Sequence, residues 1–330
     1  MLGRETMSNA GVNPPYYTIR MIIPNVIFIC KFFLLTFFIV FPRDVLNAAR
    51  EGLLLWFNNV LPALLPFIVV VNLLVAYGFV KKISWFIRPV MKWVFRLPGA
   101  GGFALITGLI SGYPMGAKTV ADLHKAGEIS TSEAQRLLAF CNNAGPLFIV
   151  GVVGVGLLGD SAAGYVLWAG HVAAALLVGI LTRGSGNVKD NKAPRSEAKT
   201  LPNFGKALGE AVKNAMEALL LVGGLIIFFS VIVRVVMVIV GDMPFIGMLA
   251  GILEVTGGVK ILADTASNGI TSAQMAAIGG IIAFGGFSVH AQALHFTSGT
   301  GIRAGRYLFF KLVNGLIAAV VTGVAWGALV

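Results

Sequence analysis

Continuous apolar runs recur along the whole chain, separated by short stretches that hold most of the charged residues. Runs of about 20 apolar residues have the length that crosses a bilayer as a helix. They predict spans at residues 22–41, 53–80, 135–158, 162–182, 215–240 and 308–330. The strands of a membrane barrel would alternate apolar and polar residues in shorter segments. The pattern therefore predicts an all-α polytopic integral membrane protein.

Three further apolar segments, 101–126, 243–263 and 274–296, carry glycines near their centres. The sharpest break is SGYPMGAK at Ser111–Lys118, where two glycines and a proline within five residues interrupt a helix. Lipid cannot pair the freed backbone groups, so they must face protein or a water-filled cavity, as at the substrate sites of transporters. Each arm of about 11 residues reaches about half of a 30 Å core, which predicts a re-entrant hairpin. The alternative is a close helix contact through Gly112 and Gly116.

Composition agrees with a membrane protein, because 57% of the residues are hydrophobic and 12% charged, with a mean hydropathy of +0.86. The net charge of +11 comes from basic residues between the spans, as the positive-inside rule predicts, and does not indicate nucleic-acid binding. Loops 81–97 and 183–206 are therefore expected in the cytoplasm. The two cysteines lie in apolar runs, so no disulfide framework or metal site is expected. No cofactor, nucleotide-binding loop or catalytic constellation is recognisable, and we expect no enzyme activity.

The chain divides at its polar linker. We predict a disordered N-terminus at residues 1–20 and a first transmembrane helix with its loop at 21–50. A first repeat follows at 51–183, a basic cytoplasmic linker at 184–206 and a second repeat at 207–330. The tip at 111–116 is echoed at 284–289, which predicts a second hairpin there. Spans 53–80 and 215–240 should run in opposite directions, which favours an inverted repeat. Loop 297–307 would then be external, or cytoplasmic if 243–263 crosses in full.

The first hairpin and the helix after it supply one set of candidate substrate-binding residues. A helix N-terminus at the tip favours an anion, and hydroxyl groups and a lysine add to it. Amide side chains interrupt the next helix, and Arg136 shares a helical face with Asn143; alternatively, Arg136 pairs with Glu133. The candidates are Ser111, Gly112, Tyr113, Gly116, Lys118, Arg136, Asn142 and Asn143.

The second half supplies the other set. Glu254 is a carboxylate among apolar residues, which is costly in a membrane and indicates function, unless it is a partner for Arg234 or Lys260. His290 could titrate near neutral pH or be a packing residue, whereas His171 carries little signal. The candidates are Glu254, Gly285, Gly286, Ser288, His290 and Gln292.

Five motifs together resemble the nucleoside-recognition (Gate) family, and within it the sporulation integral membrane proteins of endospore formers. They are LPALLPF at 61–67, SGYPMGAK at 111–118, EAQRLL at 133–138, NNAGPLF at 142–148 and GGFSVHAQ at 285–292. The resemblance implies two Gate-type repeats and transport of dipicolinic acid, a small aromatic dianion, from mother cell to forespore.

Several alternatives stay open. The chain could instead carry a nucleoside, or act as a non-transporting scaffold in spore maturation. We expect the lipid bilayer as its surroundings, in the cell membrane or the outer forespore membrane. The sequence is compatible with a coupling ion, H⁺ or Na⁺, and with assembly into a homo-oligomer.

Overall fold

The structure is a computed structural model that describes residues 28, 32–184, 203–241, 243, 245–266 and 269–330. The predicted disorder at 1–20 and most of the basic linker lie outside these residues. The chain forms two units, 1–47 and 48–330. In the described part of the first unit, residues 32–40 are helical and the rings of Phe37 and Phe41 stack 4.7 Å apart. Residues 42–50, expected to be a loop, are helical instead.

The bounded helices are labelled in chain order. They are α1 Pro42–Ala76, α2 Phe79–Trp93, α3 Gly101–Ile110, α4 Met115–Lys125, α5 Thr131–Cys141, α6 Leu147–Leu157, α7 Ser161–Leu181, α8 Phe204–Val240, α9 Ile246–Leu253, α10 Val255–Asp264, α11 Ser272–Phe284, α12 Gly286–Phe296 and α13 Ala304–Gly327.

Among the described residues, five helical stretches are long and apolar enough to cross a membrane: α1, α7, α8, α11 with α12, and α13. Large apolar side chains on these helices point outward, and those of Leu220, Phe309 and Val324 are more than half exposed. Such an apolar outer surface is suited to lipid rather than water. The predicted all-α polytopic membrane fold is confirmed.

Two short helical hairpins enter the bundle. α3 packs against α4, and α9 packs against α10. In the second pair Gly258 lies against the backbone of Gly251 and Gly247 lies against Leu262, so the two arms are antiparallel. Glu254, in an extended conformation with φ −142° and ψ 116°, reverses the chain between them.

The second hairpin is therefore α9–α10, and the prediction of a hairpin tip at 284–289 was wrong. Residues Ser272–Phe296 form one long stretch that kinks at Gly285 instead of reversing.

The α5–α6 segment is the counterpart of this stretch in the first half, because it too is interrupted near its middle. Both broken helices begin with a capping box, which satisfies the first backbone N–H groups. The boxes pair Ser130 with Glu133 and Thr271 with Gln274.

The two longest helices, α1 and α8, run antiparallel, as the sequence predicts for spans 53–80 and 215–240. Trp56 lies against Gly223, and the amide of Asn72, later in α1, donates to the carbonyl of Ala211, earlier in α8, at 3.0 Å. A short π-helical turn at Trp56–Val60 interrupts α1 just before Pro62. This turn falls near the middle of the helix, close to the two hairpin tips.

One end of the bundle, which we call the basic end, is held together by Arg136 near the start of α5. Its guanidinium donates to the carbonyls of Phe95, Arg96 and Thr182 at 2.5, 3.0 and 2.7 Å. The end of α7 and the entry to α3 thus lie beside the start of α5. The segments that flank the first hairpin therefore lie at this end.

Loop 297–303 also reaches the basic end. The side chain of Gln135 on α5 accepts from the backbone N–H of Arg303 at 2.6 Å and donates to its carbonyl at 3.3 Å. The loop lies there because α11–α12 crosses the bundle in full. α13 then returns antiparallel to α11, with Gly327 against Ser272.

Candidate substrate site

A small, partly enclosed cavity of about 40 Å³ lies halfway along α1 and α8, where the two hairpin tips meet the two broken helices. Its volume holds water molecules but no larger solute. Phe67 and Phe148 contribute to a largely apolar wall. The polar lining comes from Ser111, Tyr113, Glu254, Thr256, Ser288 and Gln292.

The tip of the first hairpin rests on the break between α5 and α6. Gly112 has a φ of +76°, which favours glycine, and a Cβ atom there would lie 2.5 Å from the backbone nitrogen of Gly145. The sequence therefore places glycine where the chain must both turn and approach another backbone. This contact positions Ser111 and Tyr113 at the cavity.

The second tip makes the equivalent contact with the other broken helix. Gly286 has a φ of +68°, and a Cβ atom there would lie 3.0 Å from the carbonyl oxygen of Gly251 and 3.2 Å from the nitrogen of Val255. Each hairpin tip is thus seated on a helix break of its own half. Both tips thus lie beside one cavity, which Gly145 of the first break and Ser288, just after the second break, also line.

Three polar atoms at the cavity stand out because they have no hydrogen-bond partner among the described residues. They are Ser111 Oγ, the Tyr113 hydroxyl and Gln292 Oε1, and all three are buried. Buried polar groups in native proteins are almost always paired, with protein, water or ligand. These atoms are therefore available to water or to a bound solute.

Glu254 is buried, with 2% of its surface exposed, and acts as the N-cap of α10. Its two carboxylate oxygens accept from the N–H groups of Thr256 and Gly257 at 3.0 and 2.5 Å. Lys260, one alternative partner, pairs with Asp264 at 2.6 Å instead. The carboxylate thus fills the positive end of its own helix while facing the cavity.

A second polar cluster adjoins the break at Asn142. The Asn142 amide donates to the Tyr307 hydroxyl at 2.8 Å, and that hydroxyl is 3.1 Å from His290 Nδ1. The ammonium of Lys311 donates to the Asn142 carbonyl at 3.0 Å. His171 Nε2 accepts from the N–H of Ala144 at 3.1 Å, inside the same break.

Sequence reasoning missed Lys311, Tyr307 and His171 as members of this cluster. A lysine inside the apolar run 308–330 was itself a signal, because charged residues within membrane helices are rare and functional. Nothing in the sequence pattern links Tyr307 or His171 to Asn142, because only the packing of α7 and α13 against α5 brings them together.

Other candidates lie away from the cavity. Lys118 is 46% exposed and pairs with Asp122 at 3.4 Å, and Arg136 lies at the basic end, where it binds carbonyl groups rather than Glu133. Gly116 approaches the carbonyl of Cys141, as a close helix contact would. The Asn143 amide caps the carbonyl of Phe140 at 2.7 Å. The cavity thus brings together Ser111, Gly112, Tyr113, Glu254, Ser288 and Gln292.

The chain is similar in sequence to known proteins. Residues 57–161, which include the first hairpin and the α5–α6 break, match the Gate family, described as nucleoside recognition. The sporulation integral membrane protein YlbJ of Bacillus subtilis (strain 168) is 33% identical over 340 aligned positions, which cover 92% of this chain and 83% of that protein. No solved structure matches the chain.

Proposed function

The chain belongs to the family of sporulation integral membrane proteins that includes YlbJ, and we propose from that premise that it transports a small anionic solute. The observation that carries the proposal is the mid-bundle cavity, where Ser111, Tyr113 and Gln292 present buried polar atoms without protein partners. Broken helices around a central site are the arrangement that secondary transporters use. The proposal includes no catalytic step.

The order of elements supports two inverted Gate-type repeats, 51–183 and 207–330. A long helix, a hairpin, a broken helix and a closing helix follow one another as α1, α3–α4, α5–α6 and α7, and again as α8, α9–α10, α11–α12 and α13. Hairpin arms of 8 to 11 residues reach about half of a 30 Å core, so both hairpins are re-entrant, from opposite faces. Alternating access then moves one repeat against the other.

The small volume of the cavity fits a state in which the hairpin tips are close together. At about 40 Å³ it is too small for an organic solute, so the hairpin tips must separate before one binds. The positive-inside rule places the basic end, with Arg96, Arg136 and Arg183, in the cytoplasm. The first hairpin then enters from the cytoplasmic face and the second from the opposite face.

Dipicolinate is our proposed substrate, carried across the cell membrane or the outer forespore membrane during sporulation. The sporulation name of the relative supports the setting. The apolar wall with Phe67 and Phe148 suits an aromatic ring, and the N-terminus of α4, which has no side-chain cap, suits a carboxylate. The buried ammonium of Lys311 adds positive charge to the interior.

A nucleoside is the second candidate, because the polar lining is mostly neutral. Ser111, Tyr113, Ser288 and Gln292 offer hydroxyl and amide groups, and the charged side chain that lines the cavity in the described part of the chain is Glu254, a carboxylate. Such groups suit the hydroxyls of a ribose and the N–H donors of a base.

Uptake into proteoliposomes tests the proposal. The purified chain is reconstituted, and entry of radiolabelled dipicolinate and uridine is compared for wild type, Gln292→Ala at the cavity and Lys118→Gln on the exposed face. We expect dipicolinate uptake that falls at least tenfold in Gln292→Ala and is unchanged in Lys118→Gln. Uridine uptake alone would replace the substrate with the nucleoside. Uptake of neither by a folded protein would contradict transport and favour the scaffold.

A further inference from the structure

Lys311 lies in the interior of the bundle, with 1% of its surface exposed, on a helix long and apolar enough to cross a membrane. Its ammonium donates to the carbonyl oxygen of Asn142 at 3.0 Å. In the described part of the chain, none of the ion pairs includes it. A buried charge without a counter-ion is costly, and the cost is greatest inside a membrane. What lies around the ammonium therefore has to compensate for that cost.

The compensation comes from the end of α5. This helix stops at Cys141, and the carbonyls of its last turn have no partners within the helix, although the Asn143 amide donates to that of Phe140. The C-terminal end of a helix also carries a partial negative charge. Asn142 Oδ1 and Asn143 Oδ1 are buried and have no partner among the described residues. The break is thus rich in oxygen atoms that favour a cation.

The titratable groups that surround Lys311 add no negative charge at neutral pH. His171 on α7 and His290 on α12 are near enough to interact electrostatically with it. Tyr307 lies one turn earlier on α13, and Cys141 on α5 is a buried thiol. The buried face of α11, which packs along α13, consists of apolar residues and glycine.

We propose that the Lys311 ammonium is a tethered cation that occupies, at the α5 break, the place a coupling ion would take. Half-helix C-termini and unwound carbonyls are the groups with which broken-helix transporters hold Na⁺. Here the chain supplies the charge itself, so the break needs no free metal cation. What this inference says about transport rests on the proposed function. If Lys311 takes the place of the coupling ion, uptake of the solute should not depend on sodium.

The proposal predicts a latent ion site. Lys311→Ala removes the ammonium and opens a space beside the carbonyl oxygen of Asn142, which Na⁺ can then enter. Lys311→Met fills the same space with an apolar chain of similar length, so it cannot create the site. Lys118→Ala removes an exposed lysine and controls for the loss of one positive charge.

Thermal unfolding of the full chain in detergent, with choline chloride replaced by NaCl at constant ionic strength, tests this directly. We expect the midpoint of Lys311→Ala to rise by about 5 °C in NaCl, the order of shift expected for an ion at roughly 100 times its Kd. Wild type, Lys311→Met and Lys118→Ala should not respond. A Lys311→Ala protein that folds but ignores Na⁺, or a wild type stabilised by Na⁺, would overturn the proposal.

Wild-type protein alone also decides the question if Lys311→Ala cannot be purified. Dipicolinate uptake should be equal in NaCl and in choline chloride, and uptake that needs Na⁺ would refute the tethered cation. Failure of uptake in both media would contradict the proposed function but not the ion site. The unfolding midpoint of the wild type then tests the ion site, because it should be the same in NaCl and in choline chloride.

Discussion

The ammonium of Lys311 lies 3.0 Å from the carbonyl oxygen of Asn142, although the two residues are 169 positions apart in the chain. The bond joins α13, the last helix, to the break between α5 and α6. The Tyr307 hydroxyl, one turn earlier, adds a second link to the same asparagine. The polar interior is therefore assembled from both halves of the chain.

Two tyrosine-to-phenylalanine changes should separate solute binding from folding. The Tyr113 hydroxyl faces the cavity without a partner among the described residues, so Tyr113→Phe should reduce uptake and leave the unfolding midpoint nearly unchanged. The Tyr307 hydroxyl bonds to Asn142 and His290, so Tyr307→Phe should destabilise the protein by about 1–3 kcal/mol. Thermal unfolding and initial uptake rates measure both. A large loss of stability in Tyr113→Phe would contradict the assignment.

Gly112→Ala should unfold more readily and lose uptake. The positive φ costs about 1–2 kcal/mol for a residue with a Cβ atom, and that atom would also collide with the backbone of Gly145. Gly159→Ala is the matched control, because Gly159 has a φ of +67° but open space around its Cα. In Gly159→Ala, the unfavourable φ alone should lower the free energy of unfolding. Equal unfolding midpoints for the two variants would show that the tip is not seated on the break.

Arg136→Lys should lower stability without changing solute affinity. A lysine cannot reproduce the planar fork that reaches three carbonyl groups at the basic end, and each lost charge-assisted bond costs about 1.5–3 kcal/mol. The unfolding midpoint and the KM for uptake check this, with Lys118→Gln as the exposed control. A raised KM at unchanged stability would place Arg136 at the substrate.

Glu254→Gln tests the charge of the solute. The amide oxygen can still accept one of the two backbone bonds, so the loss of stability should be about 1 kcal/mol. Removing the negative charge from the cavity should lower the KM for dipicolinate, because the carboxylate repels an anion. Asp160→Asn, which alters a comparable N-cap on α7, controls for the capping loss. Abolished uptake by a folded Glu254→Gln protein would instead favour the nucleoside.

The sequence was sufficient for the class of fold, because continuous apolar runs of about 20 residues match the hydrocarbon thickness of a bilayer. It also located the first hairpin, since Gly112, Pro114 and Gly116 leave a helix few ways to continue. Hairpin arms too short to cross a bilayer follow from residue counts alone. These conclusions depend on local properties of the chain, which a sequence carries in full.

Only the tertiary structure decided which second-half segment reverses direction. Glycine pairs mark both the kink at Gly285 and the reversal beside Glu254, so local pattern could not separate them. The structure distinguishes them because Gly251 and Gly258 let α9 and α10 pack against each other, whereas α11 packs along α13 and crosses in full. Lys118 and Lys311 differ in the same way. Both are lysines within apolar segments, and only the packing of distant helices buries one and leaves the other exposed.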